Sequence, residues 1–255
     1  AAGSALGMTL PLIAFPLLRR LGGFGAQDAG AIAAHYGSVS VVTFAVGMAY
    51  LAQRGIAYES YMPLFVALLE APGIIVGVLL GRMGERAQGL RLSLLLREVL
   101  LGKSIVLLLG GLFIGWIAGP SLIGPLKPFF FDLFKGALCL FLLEMGLIVA
   151  SRLGDLRRAG PFLIAFGVLM PLGAGSLGAA LGTLVGLSVG GATLLAVAAS
   201  ASYIAAPAAA RIALPEANPG LSLAAALGVT FPFNVVAGIP VYHAVARMLQ
   251  SGVSP

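Results

Sequence analysis

The sequence is poor in charge, cysteine and histidine, and each shortage excludes a class of protein. Only 9% of the 255 residues are charged and 60% are hydrophobic, which leaves too few polar groups to cover a soluble domain. The single cysteine, Cys139, excludes an intrachain disulfide framework and is expected to be a small buried hydrophobe. With only two histidines, the chain offers no cluster of His and Cys ligands for a metal.

Two further kinds of site are missing from the sequence. The glycine-rich segment 22–25 precedes no predicted strand, so it is not a nucleotide-binding fingerprint. No nucleophile and base occur at a catalytic spacing, which makes an intramembrane enzyme the least favoured class. The net charge of +6 is interpreted as an orientation signal, and no nucleic acid partner is expected.

Long apolar runs dominate what is present. Runs of roughly 17–25 residues cross a bilayer as helices, and we count about eight, at 3–18, 29–51, 61–81, 99–119, 136–151, 161–187, 190–208 and 221–247. We therefore predict an all-α polytopic membrane protein. Basic residues concentrate in alternate loops, as at Arg19 and Arg20, and these loops are predicted to be cytoplasmic. The chain starts at Ala1 inside an apolar run, and we expect about two helices to be missing before it.

Two apolar runs are interrupted by small polar residues. The segments Gly37-Ser38-Val39-Ser40 and Ser200-Ala201-Ser202 align at an offset of 162 residues. A break inside lipid exposes backbone N–H and C=O groups, so it survives only where protein or a watery cavity covers it. Half-helices that begin after such breaks present free N–H groups and a positive dipole end, which attract an anion. The alternative is that small residues and serines only let helices pack closely.

The alignment extends beyond the breaks and predicts an inverted repeat. Runs one to three match runs six to eight, and the two runs between them have no partner. If the first half also has five helices, the odd number inverts the second half relative to the first. We predict a 5+5 inverted-repeat transporter with crossed discontinuous helices. Residues 1–83 are the last three helices of repeat 1, 84–98 a cytoplasmic linker, and 99–255 the five helices of repeat 2.

Two carboxylates and one histidine lie within apolar runs. Glu70, just before Pro72, is a candidate for cation or proton coupling beside an irregular turn, with a structural pair as the alternative. For Glu144 a structural or interfacial role is favoured. His35 could shuttle protons, but a hydrogen-bonded packing role is favoured.

The residues at the breaks and several ordered motifs carry a family resemblance. The motifs are Ala57-Tyr58-Glu59, Glu70-Ala71-Pro72, Glu144-Met145-Gly146, Ser151-Arg152-Leu153-Gly154-Asp155-Leu156-Arg157, the stretch 198–219 and Gly238-Ile239-Pro240. With these, the chain resembles the sodium-dependent bicarbonate transporters. The resemblance implies a core domain, a gate domain, alternating access driven by Na⁺, a homotrimer and a PII-like cytoplasmic regulator in a bacterial inner membrane.

The resemblance also implies binding residues. It puts the substrate, a small anion and most specifically bicarbonate, between the two breaks, at Gly37, Ser38, Val39, Ser40, Ser200, Ala201 and Ser202. It puts the cation near Thr43, Glu70, Ser200, Ser202, Tyr203, Thr230 and Asn234, with Tyr203 where related transporters have an acidic residue. No cofactor is expected beyond Na⁺ as the coupling ion. The alternatives are a proton-coupled transporter of another anion and a non-transporting receptor regulated by a partner.

Overall fold

Every regular segment of the described chain is helical. In the computed structural model, residues 2–83, 93, 96–97, 100–151 and 153–252 are described, so most of the predicted linker 84–98 lies outside them. The helices are α1 (Ala2–Arg20), α2 (Ala26–Gly37), α3 (Val41–Gln53), α4 (Pro63–Gly81), α5 (Lys103–Ile123), α6 (Pro128–Ser151), α7 (Leu153–Leu184), α8 (Val189–Ala198), α9 (Ala205–Ala213) and α10 (Pro219–Ser251).

Five helical segments of the described chain are long and apolar enough to cross a membrane. They are Ala26–Gln53, which joins α2 and α3, and Pro63–Gly81, Pro128–Ser151, Gly160–Leu184 and Pro219–Ser251. The apolar segments Ile105–Gly119 and Val189–Ala198 are shorter. The prediction of an all-α membrane protein with several spans is confirmed. The predicted span 190–208 is divided between α8 and α9, because the chain leaves the helix after Ala198.

Glycines hold α2 and α4 unusually close together. A Cβ atom added to Gly73 would overlap the carbonyl of Gly37, and one added to Gly77 would overlap the backbone of Ala34. Gly30 faces Gly81 in the same way, so the contact runs along most of α2 and the second half of α4. Small residues permit this approach, which fixes the height of the first break relative to α4.

Contacts at the two ends of the bundle establish the direction of each helix. At the end that carries Arg19 and Arg20, here called the arginine face, the Asn218 backbone N–H donates to Asp28 Oδ1 at 2.7 Å. At the opposite end, here called the Glu59 face, the Ser188 backbone N–H donates to Glu59 Oε1 at 2.6 Å. Therefore α2 and α3 lead from the arginine face to the Glu59 face, and α8 and α9 lead back.

The helices α5 and α6 lie at the edge of the structure and bury little surface. Only 6% of the most apolar stretch of α6 is buried by other parts of the described chain. Cys139 on this helix is exposed, so the prediction of a buried cysteine is wrong. An apolar sequence buries a side chain only when another element covers it, and here the uncovered face is available to lipid. Glu144 is exposed on the same helix.

Candidate functional site

Two helix interruptions lie inside the bundle at the serine-rich segments. The first separates α2 from α3, where Ser38 and Ser40 both have extended backbone conformations. The second separates α8 from α9 between Ala198 and Ala205. The backbone N–H of Ser202 donates to the carbonyl of His35 at 2.7 Å, so the two breaks touch. The seven residues predicted to bind substrate are brought together here, and all of them are buried.

The serines of the breaks differ in their hydrogen bonds. Ser40 caps α3, because its Oγ accepts from the Thr43 backbone N–H at 3.1 Å and from Thr43 Oγ1 at 2.9 Å. The hydroxyls of Ser38 and Ser200 are buried and have no hydrogen-bond partner among the described residues. Buried polar groups are nearly always hydrogen-bonded, so an unsatisfied pair at one place points to a ligand. Ser38 and Ser200 are therefore the strongest candidates for substrate contact.

Tyr203 extends the second break towards the first. Its hydroxyl is buried beside Ser40 and Thr43 without hydrogen-bond geometry to either. Its ring packs edge-on against Phe231, with ring centroids 5.1 Å apart. This phenol is a third buried hydroxyl without a partner at the junction of the breaks.

Glu70 lies on α4 close to the first break, since Gly73 in the next turn contacts Gly37. The side chain is only 2% exposed, and none of the described residues donates a hydrogen bond to its carboxyl group. The helix continues through Pro72 to Gly81, so the predicted irregular turn beside Glu70 is absent. An ionised carboxylate away from water is costly unless a cation or donors compensate it, which makes this group a candidate cation ligand.

Two other predicted cation ligands, both on α10, already form hydrogen bonds within the protein. Thr230 Oγ1 donates to the carbonyl of Gly167 on α7 at 2.6 Å and lies 2.7 Å from the hydroxyl of Tyr36 on α2. Asn234 Oδ1 accepts from Tyr242 at 2.7 Å. Because Thr230 donates to a carbonyl, Tyr36 is the donor of the second bond. Each oxygen keeps at most one lone pair for an ion.

Tyr36 and Tyr242 are functional neighbours that sequence reasoning missed. Both side chains are buried. The hydroxyl of Tyr36 donates a hydrogen bond to Thr230 and that of Tyr242 donates one to Asn234, and both acceptors are predicted cation ligands. The signal was present, because a tyrosine inside an apolar run must find a hydrogen-bond partner. The partner itself depends on tertiary packing and could not be identified from spacing.

His35 is tied to its own helix. Its Nδ1 lies 2.7 Å from the carbonyl of Ala31, which assigns the proton to Nδ1 and leaves Nε2 as a buried acceptor without a partner. This arrangement agrees with a hydrogen-bonded packing role. The backbone of the same residue joins the two breaks through its carbonyl.

The groups at the breaks suit a small anion and a hard cation. Hydroxyls and free helical N–H groups donate hydrogen bonds, and Glu70 supplies a carboxylate. The described residues contain no cluster of three His, Cys, Asp or Glu side chains that could hold a metal ion. A cavity of about 470 Å³ lies elsewhere, between α1 and α7, with an apolar lining.

Comparisons with known proteins agree with this chemistry. A search among curated proteins found no match. The sequence profile of the Na⁺-dependent bicarbonate transporter superfamily matches residues 1–247, which include both breaks, Glu70 and all of α10 up to its last turn. This is a family of transporters and not of enzymes. The chain belongs to the Na⁺-dependent bicarbonate transporter superfamily.

Proposed function

We propose that this protein is a secondary active transporter that takes up bicarbonate together with Na⁺ by alternating access. The observation that carries the proposal is the pair of buried, unpartnered hydroxyls of Ser38 and Ser200 in two breaks that touch. The family profile supports the substrate and the ion in general terms. The buried polar groups at the junction of the breaks support the proposal that both are bound there.

The anion is held by neutral donors in this proposal. The hydroxyls of Ser38 and Ser200 each donate one hydrogen bond, and the first turns of α3 and α9 add backbone N–H groups and positive dipole ends. No basic side chain lies in either break. Hydrogen bonds without a fixed positive charge bind a small anion loosely enough for it to leave on the other side.

The cation is held next to the anion by oxygen atoms. Na⁺ is a hard ion that prefers oxygen ligands, as Ca²⁺ and Mg²⁺ do, and Glu70 is the only carboxylate placed by the fold beside the breaks among the described residues. The oxygens of Thr43, Ser200, Ser202, Tyr203, Thr230 and Asn234 complete the proposed set. A cation beside the anion lowers the electrostatic cost of moving either one through the protein interior.

The proposal includes an inverted repeat. The helices α1, α2–α3 and α4 run opposite to α7, α8–α9 and α10, as the contacts at the arginine face and the Glu59 face require. Residues 1–83 then belong to repeat 1 and residues 99–255 to repeat 2, and the two are joined by 84–98. The arginine face is cytoplasmic in a bacterial inner membrane, where a PII-like regulator can reach it, and the assembly is a homotrimer.

Uptake of labelled bicarbonate into proteoliposomes tests the proposal. An inward Na⁺ gradient should drive accumulation, and Glu70→Gln should remove the dependence on Na⁺, because the amide has no charge to hold the ion. Glu144→Gln is the matched control, since its carboxyl group is exposed on α6. Uptake that follows a pH gradient and ignores Na⁺ would favour proton coupling through Glu70. Absence of uptake under either gradient would refute transport of bicarbonate.

A further inference from the structure

A second group of polar side chains lies on the Glu59 face, at the ends of α3 and α10. The hydroxyl of Tyr50 is 3.2 Å from Nδ1 of His243, and the two rings meet edge-on with centroids 5.7 Å apart. This contact joins the last turn of α3 to the C-terminal part of α10. None of these residues belongs to the proposed substrate or cation sites.

Two arginines flank this pair. The guanidinium of Arg54 lies over the ring of Tyr50, with Cζ 3.8 Å from the ring centroid, a cation–π contact that holds the charge in one position. Arg247 follows His243 by one helical turn and therefore projects from the same side of α10. Both charges are near enough to act on His243, so positive potential concentrates around this ring.

The positive charges are not neutralised by the described protein. Neither Arg54 nor Arg247 forms an ion pair with a described carboxylate, and both are exposed. On this face, Glu59 accepts the backbone N–H of Ser188, at the start of α8, through Oε1. Basic residues are scarcer on this side of the predicted topology, so two of them around one histidine are not explained by membrane orientation.

His243 adds an unsatisfied polar atom. The side chain is only 8% exposed, and its Nε2 has no hydrogen-bond partner in the part of the chain that the structure describes. When the hydroxyl of Tyr50 donates to Nδ1, the ring proton is on Nε2, which is then a buried donor without an acceptor. Such a group is destabilising until an acceptor arrives. On the same helix, a cleft of about 270 Å³ is lined by Ala244, Arg247, Met248 and Ser251.

We propose that Arg54, His243 and Arg247 form a second anion site, separate from the helix breaks, for a small oxyanion. The guanidinium groups supply charge and paired donors, and the imidazole supplies a neutral donor beneath them. The oxyanion is either free in solution or the phosphate of a lipid headgroup at this membrane face. The positive potential of the two guanidinium groups also raises the local concentration of anions at the Glu59 face.

The test uses inorganic phosphate as the probe and contains neither Na⁺ nor bicarbonate, so it is independent of the proposed transport function. The full chain is titrated with tetramethylammonium phosphate at constant ionic strength, and its unfolding temperature is followed in neutral detergent. We expect a saturable increase. The half-saturating concentration should rise about two- to fivefold in Arg54→Gln and in Arg247→Gln, and saturation should disappear in the double variant. Arg20→Gln, an exposed arginine on the other face, is the matched control and should bind as the unmodified chain does.

Nanodiscs distinguish the two sources of the anion. If phosphatidylglycerol competes with phosphate in the unmodified chain and phosphatidylcholine does not, the lipid headgroup is the ligand. If phosphate binds equally in phosphatidylcholine and phosphatidylglycerol discs, the ligand is the free anion. His243→Gln keeps a donor and should bind more tightly than His243→Leu. A titration without saturation, or one that the double variant leaves unchanged, overturns the proposal.

Discussion

At the scale of single residues, the serines of the two breaks differ in their hydrogen bonds, although their sequence contexts are similar. Ser40 is satisfied within its own helix, because Thr43 donates to it twice. Ser38 and Ser200 are buried without a partner. A substitution therefore removes a structural bond in the first case and only an unused donor in the other two.

We therefore predict that replacement of serine by alanine affects the KM for bicarbonate at Ser38 and Ser200, and the free energy of unfolding at Ser40. Ser38→Ala and Ser200→Ala should raise the KM for bicarbonate by about tenfold, because each removes a hydrogen bond to a charged substrate, and should leave the free energy of unfolding nearly unchanged. Ser40→Ala should lower that free energy by about 1 kcal/mol, as loss of an N-cap does. Uptake kinetics and unfolding in detergent measure the two quantities. If all three variants lose stability and keep their KM, the serines serve packing alone.

At the scale of elements, the contact between α2 and α4 connects the first break to Glu70. Gly73 touches the backbone of Gly37, the last residue of α2, and Glu70 lies one turn earlier on α4. The carboxylate and the break are thus held at one height by two glycines. Any added side chain must separate the helices.

We predict that Gly73→Ala destabilises the protein by about 1–3 kcal/mol, the usual cost of overpacking. Gly146→Ala on α6 is the matched control, because no atom lies within 4 Å of its added Cβ. That control should be neutral or slightly stabilising, since alanine favours the helix. Unfolding temperatures in one detergent provide the comparison. Equal stability of the two variants would contradict the close contact.

The sequence predicts the helices and their breaks better than it predicts which side chains contact one another. The breaks at Ser38 and Ser200 follow from small polar residues in apolar runs, which local chemistry determines. Thr230 forms hydrogen bonds with Tyr36 and with the carbonyl of Gly167, which lie 194 and 63 positions away in the sequence. No local pattern predicts partners at such distances. Cys139 shows a second limit of prediction from sequence. Its apolar neighbours in the sequence do not specify whether another helix or lipid covers the side chain.

At the scale of the whole molecule, the two sets of helices run in opposite directions. The loop before α10 meets the start of α2 on the arginine face, and the loop before α8 meets Glu59 on the other. The junction of the breaks lies between these two oppositely directed sets of helices. Such an arrangement suits exposure to each side in turn.

Single cysteines test this topology in a Cys139→Ala background. Ala52→Cys, at the end of α3, should react with a membrane-impermeant maleimide added outside intact cells. Pro215→Cys, after α9, should react only after permeabilisation, because it lies on the arginine face. Both positions are exposed, which makes them a matched pair. Labelling of both from the same side would refute the opposed directions of the broken helices.

The bond between the Ser202 N–H and the His35 carbonyl is made entirely by backbone atoms. The strength of this bond therefore depends little on which side chains occupy positions 35 and 202. Alanine substitutions at these positions would not reveal it. Only proline at position 202 deletes the donor. The sequence of the breaks can consequently diverge to suit a different anion while the link between the two halves persists.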